Sequence, residues 1–578
     1  MTTTKKLQKK LNDSKAARWT ALIIVSFTMM MAYFFTDVMG PLEAPLTTKG
    51  KLVYFDNGTY LSADSLSKVC IEKVGSIDEI TAGKTYSFIY NENKQLKKEI
   101  ATVGHVYTLT DTAIATNGKF IALENDTLDA ASIKAFGLKT EINIDEIAKG
   151  KSYQVLHIEK KDKKEKVINE KLTVDTTING LGWSSSNYGF FSGAYGLINV
   201  FLLMLFFGGI ILDKMGVRFT GIMSTGLMFV GAAIKWYAVN GTFTGEIFGL
   251  PTQVAIASLG FAVYGVGCEI AGITVTKVIA KWFTGHEMAL AMGLQVALAR
   301  VGTACAMFFA LPLAQKFGVV SSPVLFGAGA LCIGFLSYMV YCVMDKKFDK
   351  SAGIEKTSAD PDEQFKFSDL KVIFCNKGFW LITLLCLIFY SAVFPFLKFA
   401  TNLMIIKYNV SPDLAGIIPG LLPFGTMLLT PLFGSLYDRI GKGATLMLIG
   451  SVLLTIVHVL FALPILNYGW FAVIVMIILG FAFSLVPSAM WPSVPKIIPM
   501  KQLGSAYAII FYIQNIGLSL VPMLIGSVID SNTSNGTTDY TMPMSIFAIF
   551  GILAVLISLL LKKTDKKYNY GLQKANKK

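Results

Sequence analysis

The sequence predicts an all-α membrane protein: twelve transmembrane helices in two six-helix bundles, with a β-rich extramembrane insert between helices 1 and 2. Three observations predict it. The chain of 578 residues is 53% hydrophobic and only 16% charged, against about 25% charged in ordinary soluble proteins. Apolar runs of about 20 residues, the length a helix needs to cross a bilayer, recur along it. One loop pattern occurs twice, GGIILDKMGVR and FGSLYDRIGKG, with the copies six spans apart.

The first span, 19–45, follows Lys5, Lys6, Lys9, Lys10, Lys15 and Arg18 and so resembles a signal peptide. It is too long for one and lacks a small-residue cleavage site, so it reads as a retained helix. The other spans are 186–211, 219–240, 252–281, 287–316, 320–344, 378–407, 412–436, 443–464, 468–495, 502–529 and 541–562. The chain therefore divides into a tail and helix 1 (1–46), an insert (47–181), helices 2–6 (182–344), a charged linker (345–377), helices 7–12 (378–562) and a basic tail (563–578).

The formal net charge is +14. The insert holds 19 Lys and 19 acidic residues and is neutral, so the excess lies in tails and short loops. That distribution argues against a nucleic-acid partner. It matches the enrichment of Lys and Arg in cytoplasmic loops, which puts both termini and the doubled loop in the cytoplasm and the insert outside. Of seven cysteines only Cys70 lies in the insert, which excludes a disulfide within it, and no metal-type spacing occurs. The insert's segments KLVYF, KTYSFIY, HVYTLT, KFIAL and YQVLHI are short, aromatic and β-branched, and Gly, Asn and Asp clusters separate them; these are strands. Its run Lys160–Lys166 reads as a solvated hairpin or loop. No nucleophile, metal or phosphate motif is present, so no catalytic residue, metal or cofactor is expected.

The first loop carries Gly209, Asp213, Lys214, Gly216 and Arg218; the second carries Gly434, Asp438, Arg439, Gly441 and Lys442. The first Gly of each is expected to let a neighbouring helix approach. The Asp would sit near a helix N-terminus or accept from a basic side chain, and the second Gly would make the turn. Two copies at equivalent places indicate an internal repeat, as many transporters have. The pattern resembles the signature loop of the major facilitator superfamily, which implies two bundles rocking about a central site.

Ionisable residues inside spans are costly and usually functional. At about 1.5 Å per residue, Glu269 lies roughly 18 Å in from Lys281 and Arg300 roughly 20 Å in from Glu287, so the two opposite charges share a depth. By the same count Asn199, Tyr390, Gln514 and Asn515 reach that level, from both halves. Asp37, Lys235 and Lys398 come out nearer the outer face, and His458 reads as structural. Glu269 and Arg300 can either pair with each other, locking helix 4 to helix 5, or receive a ligand with both charges. Arg offers a fork for a carboxylate and Glu a counter-charge for an ammonium.

Three stretches carry a closer resemblance: Tyr264 to Gly302, YSAVFPF at Tyr390 to Phe396, and Ala489 to Leu520. With Asp37 and Asn199 they resemble the dipeptide-uniporter family named for major facilitator superfamily domain-containing protein 1. The resemblance implies a dipeptide substrate, with Glu269 and Arg300 holding the peptide ends, and a lysosomal setting with an accessory membrane glycoprotein. The insert is absent from the family pattern, and Lys398 stands where the family has a small residue. The amino tail shows no dileucine-type signal, which places the chain in a bacterial inner membrane with the insert periplasmic; the alternative is a lysosomal membrane with the insert lumenal. The insert is the surface for a protein partner, or a built-in cap. Two other functions stay open. One is a transporter of another small organic anion, with Glu269 as a proton site. The other is a non-transporting sensor or scaffold that binds a partner through the insert.

Overall fold

The computed structural model describes residues 11–71, 85–92, 95–107, 112–115, 120–122, 134–137, 147–161, 164–283, 287–352, 372–499, 502–534 and 537–575. Most of the charged linker lies outside them. The chain forms two compact units: 1–47 with 183–314 and 320–578, and 48–182 with 315–319.

The first unit is helical. Its long helices are α1 (Lys15–Asp37), α2 (Ser185–Phe201), α3 (Met204–Asn240), α4 (Thr252–Phe283), α5 (Met288–Phe317), α6 (Ser321–Ala352), α7 (Lys377–Tyr408), α8 (Ile417–Ile440), α9 (Gly443–Ala462), α10 (Gly469–Met490), α11 (Leu503–Ser531) and α12 (Thr541–Tyr568). Among the described residues eleven helices are long and apolar enough to cross a membrane. The twelfth span differs from expectation. It starts as α2, breaks at Leu202 and Leu203, and resumes in α3. Leu203 holds left-handed φ and ψ of 51° and 34°, a conformation costly for a side chain with a Cβ. The break leaves α2 at 17 residues. Span 1 also ends early: α1 stops at Asp37, and Gly40–Leu42 and Glu43–Thr47 form short helical turns.

Helix ends are capped locally. Ser14, Ser184 and Asn376 side chains accept from the amides of Ala17, Asn187 and Phe379, satisfying donors that a helix start leaves free. The α2 start has a second cap from the other half: Asp530 accepts from the Ser185 and Ser186 amides at 2.7 Å each. A carboxylate there also meets the positive end of the helix dipole.

The second unit is β-rich, as the sequence predicts. One sheet has the order β2-β1-β10-β9-β3, built from β1 (Lys49–Phe55), β2 (Tyr60–Ser62), β3 (Cys70–Ile71), β9 (Ser152–Lys161) and β10 (Lys164–Leu181). The other has the order β7-β6-β5-β4-β8, from β4 (Thr85–Glu92), β5 (Gln95–Tyr107), β6 (Thr112–Ala115), β7 (Phe120–Ala122) and β8 (Lys134–Gly137). The first sheet closes on itself in sequence: β1 pairs antiparallel with β10 from Lys49↔Leu181 onward. Val53, Phe55, Ala63, Leu66, Ile147, Tyr153, Leu172 and Val174 form its core. The charged run Lys160–Lys166 joins β9 and β10, which pair up to Lys161↔Lys164; the two residues between lie outside the described set.

Candidate functional site

Glu269 sits on α4 and Arg300 on α5, and each has a partner other than the other charge. Glu269 Oε1 accepts from the Tyr195 hydroxyl of α2 at 2.9 Å. That contact needs α2 and α4 to cross closely, and Gly265 permits it: a Cβ there would lie 2.0 Å from the Tyr195 carbonyl oxygen. The Arg300 guanidinium lies over three rings, 5.7 Å from Tyr33 of α1, 5.4 Å from Phe394 of α7 and 5.6 Å from Phe483 of α10. Such faces attract a cation but do not neutralise it. Among the described residues no Glu269–Arg300 ion pair is present. The pairing expected as one alternative, which would lock α4 to α5, is therefore not formed in this conformation: Glu269 bonds the Tyr195 phenol and Arg300 lies over rings instead. Tyr33 lies in electrostatic reach of both charges, so the two face a shared region.

The C-terminal half lines that region with rings and neutral polar groups. The Tyr390 hydroxyl accepts from Trp491 Nε1 at 3.1 Å, and the Tyr390 ring packs against Phe394 and Phe483. Gln514 Oε1 accepts from the Cys386 thiol at 3.4 Å. Asn515 donates to the Phe511 carbonyl at 3.0 Å, while its own Oδ1 is buried with no partner among the described residues. Asn199 is fully buried and neither atom of its amide has one. A buried amide left so costs about 1–3 kcal/mol. It lies where α2 crosses α11. At Gly196 a Cβ would meet Ser519 Oγ at 2.2 Å and the Asn515 carbonyl at 3.1 Å. Asn199, Asn515 and Ser519 thus form one seam between the halves.

Tyr195, Tyr33, Phe394, Phe483, Trp491 and Ser519 were not singled out from the sequence. Tyr195 lies one turn from Asn199, so the depth count already reaches it. The rings carry no comparable signal, because a lipid-facing Phe and a site Phe read alike.

Toward the end from which the insert leaves the chain, cross-half bonds close the bundle. Lys398 of α7 pairs with Asp37 at 2.7 Å and donates to the Thr36 carbonyl at 3.0 Å. The Tyr188 hydroxyl donates to the Lys398 carbonyl at 2.8 Å, and Asp530 caps α2 as described. Nearby Lys235 is fully buried, its ammonium 4.3 Å from the Phe35 and Phe261 ring centroids and 3.4 Å from the Phe35 carbonyl. His458 packs between Phe396 and Phe547, as a structural residue does.

At the other end the doubled loop makes its turns through glycine. Gly216 has φ 76° and Gly441 φ 65°, conformations that favour a residue without a Cβ. The expectation for Gly209 and Gly434 needs correction: a Cβ at either would meet nothing within 4 Å. Among the described residues no neighbouring helix leans on these positions. The tight approach falls at Gly208 instead, where a Cβ would lie 2.6 Å from Ile270 Cγ1. Arg218 bonds Asp345 at 3.1 Å and Asp349 at 2.6 Å, and Lys281 joins the same two carboxylates at 2.9 and 2.7 Å. Trp282 and Tyr341 also donate to Asp345. The Asp213 side chain lies outside the described set; Lys214 and Arg439 are exposed and Asp438 is half-buried.

The sequence pattern of the Major Facilitator Superfamily matches residues 172–522 and 400–577. The chain is similar to the lysosomal dipeptide transporter MFSD1 of Mus musculus, 28% identical over 345 residues, covering 57% of this chain and 69% of that one. It is likewise similar to the Homo sapiens protein of that name, 27% identical over 340 residues, with 57% and 69% covered. Among solved structures it resembles the nucleoside transporter NupG, with a TM-score of 0.51, 16% identity, and 66% of this chain and 91% of that one covered. It also resembles a bacterial homologue of the human lysosomal transporter Spinster, with a TM-score of 0.50, 14% identity, and 67% and 91% covered. At such identities these two structures speak for the fold alone.

Proposed function

Because the chain belongs to the major facilitator superfamily and is a transporter rather than an enzyme, we propose that its cargo is a small zwitterionic peptide, a dipeptide, moved by alternating access. The observation that carries this reading is the separation of the two mid-depth charges. Among the described residues Arg300 has three ring faces and no carboxylate, and Glu269 has a neutral phenol and no cation. A bidentate carboxylate gains on Arg300 what the rings do not supply, and an ammonium gains on Glu269 what Tyr195 does not. Asn199 and Asn515, with unused amide atoms, suit the polar peptide group between. Tyr390, Phe394 and Phe483 suit an apolar side chain, and Gln514 borders them. The relatives named as dipeptide transporters support the same cargo.

In this reading the Asp37–Lys398 pair closes the insert end, and the doubled loop with Gly209, Asp213, Lys214, Gly216, Arg218, Gly434, Asp438, Arg439 and Gly441 changes arrangement as the halves rock. A second reading takes an organic anion on Arg300 and a proton on Glu269; the phenol as Glu269's partner, which fits a carboxyl in either protonation state, favours it. We place the chain in a bacterial inner membrane with both termini cytoplasmic and the insert periplasmic, where it is open to a protein partner; fractionation and protease protection test this, and insert cleavage in sealed right-side-out spheroplasts is the expected result. A thermal-shift screen tests the cargo, since a ligand of the native state raises its stability. Dipeptides should shift the midpoint, and free carboxylates alone should not; a shift by carboxylates without an amino group selects the second reading.

A further inference from the structure

The residues after α12 fold back onto the second copy of the doubled loop. Asn569 ends the helix with φ 55° and Gly571 turns the chain with φ 82°. Leu572 is fully buried. The Lys442 amide donates to the Gln573 carbonyl at 3.1 Å and the Gly443 amide to the Leu572 carbonyl at 2.8 Å. Lys496 donates to the Lys574 carbonyl at 2.9 Å, and Thr445 to Gln573 Oε1 at 3.2 Å.

This fold-back borders an open pocket of about 320 Å³ lined by Lys562, Asp565, Lys566, Asn569, Gly571, Gln573 and Lys574. Three lysines face it against one carboxylate, and that carboxylate already accepts from the Leu572 amide at 3.0 Å. Lys562, Lys566 and Asn569 fall at i, i+4 and i+7, on one face of α12. Gln573 Nε2 is buried with no partner among the described residues, a donor left over inside a basic cavity. The apolar run of α12 ends at Leu561 and Lys562 follows it, so the cavity opens at the level of lipid headgroups, where basic pockets hold anionic heads.

We propose that the folded-back tail builds a binding site for a phosphate-bearing anion, filled by an anionic phospholipid of the adjoining leaflet. Lys562, Lys566 and Lys574 supply the charge, and Gln573 Nε2 donates to a phosphate oxygen. Because the same Gln573 holds Lys442 and Thr445 through its carbonyl and side-chain oxygens, an occupied site ties the tail to the second loop. The site is independent of the cargo and of the Arg300 reading.

The test titrates phosphatidylglycerol, phosphatidylcholine or inorganic phosphate into the full-length protein in detergent and follows its melting temperature. Phosphatidylglycerol should raise it and phosphatidylcholine should not. K562A/K566A should weaken the phosphatidylglycerol response by roughly twenty-fivefold in concentration, about fivefold for each lysine at a membrane surface. K563A/K567A removes the same charge from the same helix outside the cavity and should keep the response. Q573A should weaken it as well, which tests the cavity without touching a charge. The same pattern with inorganic phosphate in place of lipid keeps the site and assigns it a soluble occupant. Equal losses in both lysine doubles, or no response of the native chain to either phosphate source, would overturn the proposal.

Discussion

At the end of the bundle that carries the doubled loop, the N-terminal half is clasped by charged side chains and the C-terminal half by main chain. In the first, Asp345 and Asp349 gather Arg218 and Lys281. In the second, the equivalent helix end offers Asp565, but its partner is the Leu572 amide, and the tail's carbonyls take the amides of Lys442 and Gly443. The middle of the bundle repeats the contrast. Glu269 and Arg300 both belong to the N-terminal half, while the other half presents Tyr390, Phe394, Phe483, Gln514 and Asn515. A repeat of one loop sequence thus keeps the geometry of its turn, φ 76° at Gly216 and φ 65° at Gly441, and lets the chemistry around it diverge. A charge clasp weakens with salt, whereas main-chain bonds respond little.

Substitutions break this comparison in order of size. Asp345→Ala leaves Arg218, Lys281, Trp282 and Tyr341 without their shared acceptor, and should cost about 3 kcal/mol, read as a lower melting temperature that added salt narrows. Lys398→Met acts on the seam between the halves. It leaves Asp37 buried without its cation, a loss of about 2 kcal/mol for a charged hydrogen bond. That should favour opening at the insert end, seen as faster labelling of a cysteine placed at Thr36. Asp565→Ala removes one acceptor from a main-chain clasp and should cost only about 1 kcal/mol. Equal losses for Asp345→Ala and Asp565→Ala would erase the distinction. The smallest effect is at Glu287, whose carboxyl is held below the usual carboxylate range, first by its own backbone amide and then by Arg18. A depressed value means its contribution is complete above the ordinary carboxylate range and is lost as pH falls through the lowered one. Glu287→Gln should therefore lower the melting temperature slightly at neutral pH and leave it unchanged in acid below the lowered value, where the contribution is already lost.

Eleven of the spans and the strands of the insert were legible in the sequence, because lipid demands long apolar runs and strands favour aromatic and β-branched residues. The break at Leu202 and Leu203 was not, since leucine carries no turn signal and the positive φ at Leu203 is set by packing. The depth count placed Glu269, Arg300, Asn199 and Asn515 at one level from residue spacing alone. It could not tell a pair from two separated charges, because that depends on which neighbours each side chain takes. The ring faces over Arg300 come from α1, α7 and α10, which lie far apart in the chain. Gly209 and Gly434 show the reverse limit: the motif marks the turns at Gly216 and Gly441, yet its leading glycine has no close neighbour among the described residues.

The central claim is that the unpaired Arg300 and Glu269 receive the two ends of a dipeptide. Uptake of a labelled dipeptide into proteoliposomes tests it most directly, with competition by N-acetylated and C-amidated forms. The native chain should take up the dipeptide and ignore both blocked forms. Glu269→Gln should slow uptake, and Arg300→Ala should abolish it while keeping the native melting temperature. Full uptake by Arg300→Ala, or undiminished competition by the C-amidated peptide, would contradict the account.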